Sequence, residues 1–185
     1  MGGIAIFSLG RQTAPGSVTT NGQIMFKDTI PVVRVQLEQT EFSDMEILYI
    51  HDSAQSTAAI TEIFRKDFGE LMLYLKANKL MPRKFLAWYY TGQPPWSIDI
   101  AVEPNGEAGP LTRRIQSRVQ PGGEVIIAHM WGPYDRVGQA YRQVADWLKE
   151  NHRKPLGAPF EVYLNDPSLV KEASEIRTDI YQLIQ

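Results

Sequence analysis

The chain has 185 residues, 43% hydrophobic and 22% charged, so it can bury a sizeable core and lacks the composition of a disordered segment. Lys and Arg number 19 against 21 Asp and Glu, a net charge of −2, and no basic run marks a footprint for DNA or an anionic membrane. There is no cysteine, which excludes disulfides, thiolate catalysis and cysteine-based zinc sites; the three histidines form no HxxxH or HExxH pair, so no metal site is expected.

The N-terminal run "IAIFSLG" is too short to span a membrane, and no basic segment precedes it as in a secretory signal. Ile6 stands where a myristoylation signal wants Ser or Thr. A cytoplasmic location is the expectation. Residues 1–30 read as an arm or small hairpin: "GRQTAPGSVTTNG" is rich in turn formers, and "GIAIF" and "QIMF" are candidates to pair.

From residue 31 the pattern sharpens. "PVVRVQLEQTEF" and "MEILYIHD" read as strands by their β-branched residues. A helix follows over residues 56–78, with Ile60, Phe64, Phe68, Leu71 and Leu75 on one face and Ser56 or Thr57 as its cap. "KFLAWYY" and "WSIDIAV" read as two more strands joined by a "TGQPP" turn. The same order then returns: strands "RRIQSRV" and "EVIIAHM", a helix over residues 134–151 with Val137, Tyr141, Val144 and Leu148 on one face, and strands "FEVYL" and "TDIYQLI". "LNDPSLVKEAS" reads as a loop with a helical turn after Pro167.

A displacement of 73 residues places Phe64 on Val137, Leu75 on Leu148, Asn78 on Asn151 and Pro82 on Pro155. The expected fold is α+β: a tandem duplication of a strand-helix-strand-strand module, forming an antiparallel sheet with two long helices on one face and a central cleft. Residues 31–185 then make a single domain of two repeats, about 31–107 and 108–185. Neither repeat is large enough to stand comfortably alone, and the cleft between them is the natural ligand site.

Side chains alternate across a strand. Phe160, Val162 and Leu164 share the face suited to packing under a helix, and Glu161 and Tyr163 share the other. The displacement of 73 puts Trp88 at the place of Glu161 and Tyr90 at the place of Tyr163. The face turned away from the helices is therefore expected to carry Trp88, Tyr90, Glu161 and Tyr163. A carboxylate among aromatic rings has two uses. It is a charge partner for a cationic aromatic guest, or a general acid or base of raised pKa. A solvent-facing Glu on an open sheet is the plainer alternative. In "MWGPYDRV", Trp131 and Tyr134 are either a hydrophobic staple at a helix start or the walls of a pocket. His129, which matches His51, reads as a strand-end hydrogen-bonding residue; Asp99 and Asp179 read as turn or edge residues. No nucleotide-binding or nucleophile-elbow motif occurs, and no cofactor is expected.

"GPYDRVGQAYRQVADWLKEN", "GAPFEVYLNDP" and "RTDIYQLI", in that order, resemble the GyrI-like small-molecule-binding domain family, which includes the effector-binding domains of multidrug-responsive transcription activators. The first repeat fits more loosely through "MEILYI" and "FLAWYY…WSIDIAV". The resemblance implies two modules around a cleft, with Glu161 as the ligand-facing acid and Tyr163 and other aromatics as its walls. It implies a stand-alone binder of an amphipathic, aromatic and possibly cationic small molecule, held by Glu161, Trp88, Tyr90, Trp131, Tyr134, Tyr163 and Tyr181. A second implied reading is a hydrolase of cyclopropane-type electrophiles using Glu161, Trp88 and Tyr163. A third is a protein-interaction module of gyrase-inhibitor type. Residues 1–30 do not resemble the helix-turn-helix of the regulators, so direct DNA binding is not expected. Trp131 stands where a smaller or polar residue is expected.

Overall fold

The computed structural model describes residues 19–20, 23–24 and 33–185. Strands β1 (Thr19–Thr20) and β2 (Gln23–Ile24) form a minimal hairpin. The "GIAIF" segment lies outside the described residues; Gln23 pairs with Thr20 and Ile24 with Thr19. The domain proper runs β3 (Arg34–Phe42), β4 (Met45–Ala54), α1 (Thr57–Ala77), β5 (Pro82–Tyr89), β6 (Trp96–Pro104), β7 (Gln116–Gln120), β8 (Gly123–Trp131), α2 (Gly138–Glu150), β9 (Phe160–Tyr163) and β10 (Arg177–Leu183). This is a mixed fold of two helices on an antiparallel eight-stranded sheet.

Local chemistry sets the helix ends. Ser56 accepts a hydrogen bond from the Ala59 amide at 3.2 Å and starts α1. Asn78 and Asn151 end the two helices alike, each donating its side-chain amide to a carbonyl four residues back. Lys79 and His152, the next residues, both take positive φ. The second helix departs from expectation at its start. Residues Tyr134–Arg136 form a 3-10 turn and α2 begins at Gly138, with Val137 at its N-cap and no side-chain cap hydrogen bond. A turn forms at Pro167, where the Leu169 amide donates to the Asp166 carbonyl at 3.0 Å, and a separate 3-10 turn follows over Ala173–Glu175.

The strand order is β3-β8-β10-β9-β5-β6-β4-β7, and every neighbouring pair is antiparallel. The order places β9 against β5 at the centre. It also sends the opening strand of each half to the far side: β3 lies beside β8, and β7 beside β4. In a flat sheet the ends of β3 and β4, six spacings apart, would be separated by roughly 29 Å. Only Ser43 and Asp44 join them, a reach of about 10 Å. Pro121 and Gly122 join β7 to β8 under the same constraint. The sheet must therefore curl until these two turns meet, and they do. The Gly122 amide donates to Asp44 Oδ1 at 2.7 Å.

Curling divides the core by face. On the helix side α1 covers Leu48, Ile50, Ile98, Ile100 and Val102, and α2 covers Ala128, Met130 and Ile180. On the inside of the curl Phe42, Trp88, Phe160, Tyr181 and Leu183 pack together. Trp88 stacks on Phe160 with ring centroids 4.7 Å apart, and Tyr181 stacks on the same ring at 5.0 Å.

Gly122 has no room for a side chain: an added Cβ would sit 2.2 Å from the Phe42 carbonyl oxygen. Gly122→Ala should destabilise the fold by about 2 kcal/mol in urea denaturation. Gly69→Ala, in α1 with nothing within 4 Å of the added carbon, should stabilise it by about 1 kcal/mol.

Candidate functional site

The helices do not meet over the centre of the sheet. Between them lies a cavity of about 740 Å³. Its floor is β5 and β9, through Tyr89, Glu161 and Tyr163. One wall is α1, through Ile60, Phe64 and Phe68; the other is the 3-10 turn and α2, through Tyr134, Val137 and Tyr141. The β5–β6 turn with Trp96, and Pro167 from the loop after β9, complete the rim. The rings meet edge to face: Phe64, Phe68 and Tyr134 each present to Tyr163, with centroids 5.7, 6.4 and 5.7 Å away.

Glu161 is 4% exposed. Tyr141 donates to Oε1 at 3.0 Å and Tyr163 to Oε2 at 2.7 Å. Among the described residues no Lys, Arg or His forms an ion pair with this carboxylate. Burial pushes its pKa above the ordinary carboxylate value, and the hydroxyls of Tyr163 and Tyr141 offset part of that push. The tyrosines respond in turn: burial and the nearby Glu161 charge raise Tyr163, Tyr141 and Tyr89 well above an ordinary phenol, and raise Tyr134 as well. The floor is a carboxylate wrapped in hydroxyls with no cation of its own. Among the described residues no group of three or more His, Cys, Asp or Glu is placed to hold a metal ion.

Glu161 and Tyr163 thus face the helices, against expectation, and Phe160 and Val162 face the inside of the curl. The displacement of 73 would set Trp88 on the face of Glu161, but the β5–β9 register pairs Trp88 with Phe160, one residue off, and a slip of one residue exchanges the faces. Ala87, not Trp88, stands opposite Glu161.

Four residues expected around one ligand are therefore placed together and three are not. Glu161, Tyr163 and Tyr134 line the cavity, and Tyr90 reaches its rim while donating its hydroxyl to Asp99 Oδ2 at 2.6 Å on the other face. Trp88 and Tyr181 are the stacking partners of Phe160 behind the floor. Trp131 lies on that same far face, with the Arg34 guanidinium 3.7 Å and that of Arg177 5.3 Å from its ring centre. Trp131 and Tyr134 accordingly form no staple across the helix start. Sequence reasoning missed Tyr89, Tyr141, Phe64 and Trp96 as cavity residues. Tyr141 and Phe64 were legible as helix-face residues, but nothing in the spacing marked that stretch of the face as uncovered.

Two of the three histidines, His51 and His129, are held by acids on the far face. His51 Nδ1 lies 2.7 Å from Asp99 Oδ1, and His129 Nδ1 lies 3.0 Å from Asp179 Oδ1, with its Nε2 2.9 Å from Glu38. Asp99 also pairs with Arg118, whose guanidinium lies over Tyr49 and Trp88. Asp99 and Asp179 are thus buried cross-strand partners of the two histidines rather than turn residues.

Solved structures with this fold include EcmrR. This chain superposes on EcmrR in its DNA complex with a TM-score of 0.72 at 16% identity, covering 82% of this chain and 57% of that one. It thus spans little more than half the length of that protein. The isolated C-terminal domain of EcmrR gives 0.73 at 16% identity, over 82% of this chain and 98% of that one. A hydrolase from Listeria innocua gives 0.60 at 10% identity, over 81% and 92%. SAV2435 bound to tetraphenylphosphonium gives 0.56 at 8% identity, over 81% and 94%. No curated protein sequence matches the chain. No helix among the described residues is long and apolar enough to cross a membrane. Residues 93–185 match the model of the GyrI-like small molecule binding domain, and the chain belongs to that family.

Proposed function

We propose that the protein binds an amphipathic, aromatic, cationic small molecule in the cavity between α1 and α2, with Glu161 as the counter-charge. The observation that carries this reading is a carboxylate 4% exposed, without a cationic partner among the described residues, on the floor of an aromatic cavity. Leaving a charge buried and unpaired is costly. A guest that brings a positive charge relieves that cost, and the rings of Phe64, Tyr134 and Tyr163 offer it cation–π and stacking surface. SAV2435, which shares the fold, holds a lipophilic cation of this class.

The same reading takes residues 31–107 and 108–185 as repeats of one module, and the cavity as the cleft between them. The matched helix ends, the His–Asp pair in each half and a strand order that runs from two exchanged edges to a central β9–β5 pair support it. A hydrolytic role is less favoured: of Glu161, Tyr163 and Trp88, only the first two reach the cavity.

Binding of an aryltrimethylammonium should weaken about tenfold or more in Glu161→Gln, while the tert-butylarene of the same shape changes little. Calorimetry that finds equal losses for both compounds removes the charge role. A Glu161-dependent turnover of activated esters or strained rings, followed by mass spectrometry, would favour the hydrolase instead.

The raised Glu161 pKa also sets the sign of a pH effect. Above the ordinary carboxylate pKa the folded state retains a proton that the unfolded state releases, so this group's contribution to stability falls as pH rises through the raised folded value. Denaturation midpoints measured on both sides of that interval should converge for wild type and Glu161→Gln at the acid end. At the alkaline end the variant should be the more stable of the two.

A further inference from the structure

Strands β4 and β6 build a second constellation on the far face, away from the cavity. In "SID", Ser97 and Asp99 stand two apart on a strand and so share a face. His51 lies opposite Asp99 across the β4–β6 ladder, and Ser53 lies opposite Ser97. His51 Nδ1 is 2.7 Å from Asp99 Oδ1, and its Nε2 is 3.5 Å from Ser97 Oγ. A carboxylate only accepts, so Nδ1 carries the ring proton and donates it, and Nε2 is left to accept from the Ser97 hydroxyl. Asp99 is fixed in this task. Its side chain is 3% exposed, and its Oδ2 accepts from the Tyr90 hydroxyl at 2.6 Å and pairs with Arg118. The His51 side chain is 52% exposed and Ser97 is half-buried, so the hydroxyl can be approached from solvent. The other His–Asp pair is built differently. Arg177 stands two residues before Asp179, where Ser97 stands before Asp99, and His129 Nε2 is occupied by Glu38 at 2.9 Å. Of these two pairs only the first offers its Nε2 to a hydroxyl.

We propose that Ser97, His51 and Asp99 form a serine-nucleophile site that cleaves activated esters. Ser97 and His51 are its catalytic residues, and Asp99 positions the imidazole and fixes its tautomer. The Ser97 hydroxyl proton passes to His51 Nε2 as the bond from Oγ to the acyl carbon forms. The bond from that carbon to the leaving oxygen then breaks, and the leaving oxygen takes the proton from His51. Water repeats the sequence on the acyl-serine, releasing the carboxylic acid and restoring the hydroxyl. The Ser97 amide already donates to Thr91 Oγ1 at 3.0 Å, so it is not free to stabilise the oxyanion. The substrate class is therefore acyl groups with good leaving groups, such as aryl esters, rather than amides. The site stands apart from Glu161 and does not rest on the binding reading above.

The test uses the full chain with diisopropyl fluorophosphate and with p-nitrophenyl acetate. Tandem mass spectrometry should find the phosphoryl adduct on Ser97 and not on Ser53, its exposed neighbour across the ladder. Ser97→Ala should carry no adduct at this peptide, and Ser53→Ala should be labelled as fast as wild type. His51→Gln should slow both labelling and ester hydrolysis about a hundredfold. Asp99→Asn should lower kcat for the ester by a similar factor at nearly unchanged KM, because it disturbs the tautomer and not the contact surface. Absence of an adduct on Ser97, labelling that is as fast in His51→Gln, or an unchanged kcat in Asp99→Asn overturns this proposal and leaves the binding reading standing.

Discussion

Two short turns govern this fold. Ser43–Asp44 and Pro121–Gly122 join strands that lie six places apart, and the sheet has to curl to let them. The curl brings Phe42, Trp88, Phe160 and Tyr181 together on its inside. The opposite face is then the outer surface of a curve. Two rigid helices laid on such a surface diverge, and the central strands are left uncovered between them. The ligand-sized space is a geometric result of the closure on the other side of the sheet, and Glu161 occupies the strand that the divergence exposes.

This arrangement explains how a carboxylate can be so deeply buried with no cation paired to it among the described residues. Its strand is clamped from behind by the Trp88–Phe160–Tyr181 stack, and its backbone is paired on both sides, with β5 and β10. The side chain therefore cannot swing out to water. Tyr141 and Tyr163 satisfy the two oxygens as hydrogen-bond acceptors but leave the charge uncompensated. Hydrogen bonding and charge pairing are separate requirements, and among the described residues only the first is met.

Much of the fold was legible in the sequence. Helix periodicity located α1 within a residue at each end, and the β-branched runs located the eight main strands. The acid was legible too, since Glu161 stood out among aromatic neighbours. The face it occupies was not. Faces in a strand depend on parity alone, and the β5–β9 register sets Ala87, not Trp88, opposite Glu161. The other cavity residues were hidden for a different reason. Phe64 and Tyr141 have the spacing of ordinary core residues, and what makes them lining residues is the divergence of two helices far apart in sequence. Trp131 misled because an exposed-looking tryptophan before a helix suggests a ligand wall, whereas here two arginines already cover it.

The exchange of the opening strands has a bearing on folding. β3 completes the half that contains β8, and β7 completes the half that contains β4. Neither half owns all four strands of the sheet it sits in. Most of the pairing contacts join residues distant along the chain, which places this topology among slow, high-contact-order folders. A nascent chain stopped after β6 would present β4 with an unpaired edge and β3 with nothing to dock on. The domain is thus committed to folding after synthesis of its last strand, as one cooperative unit.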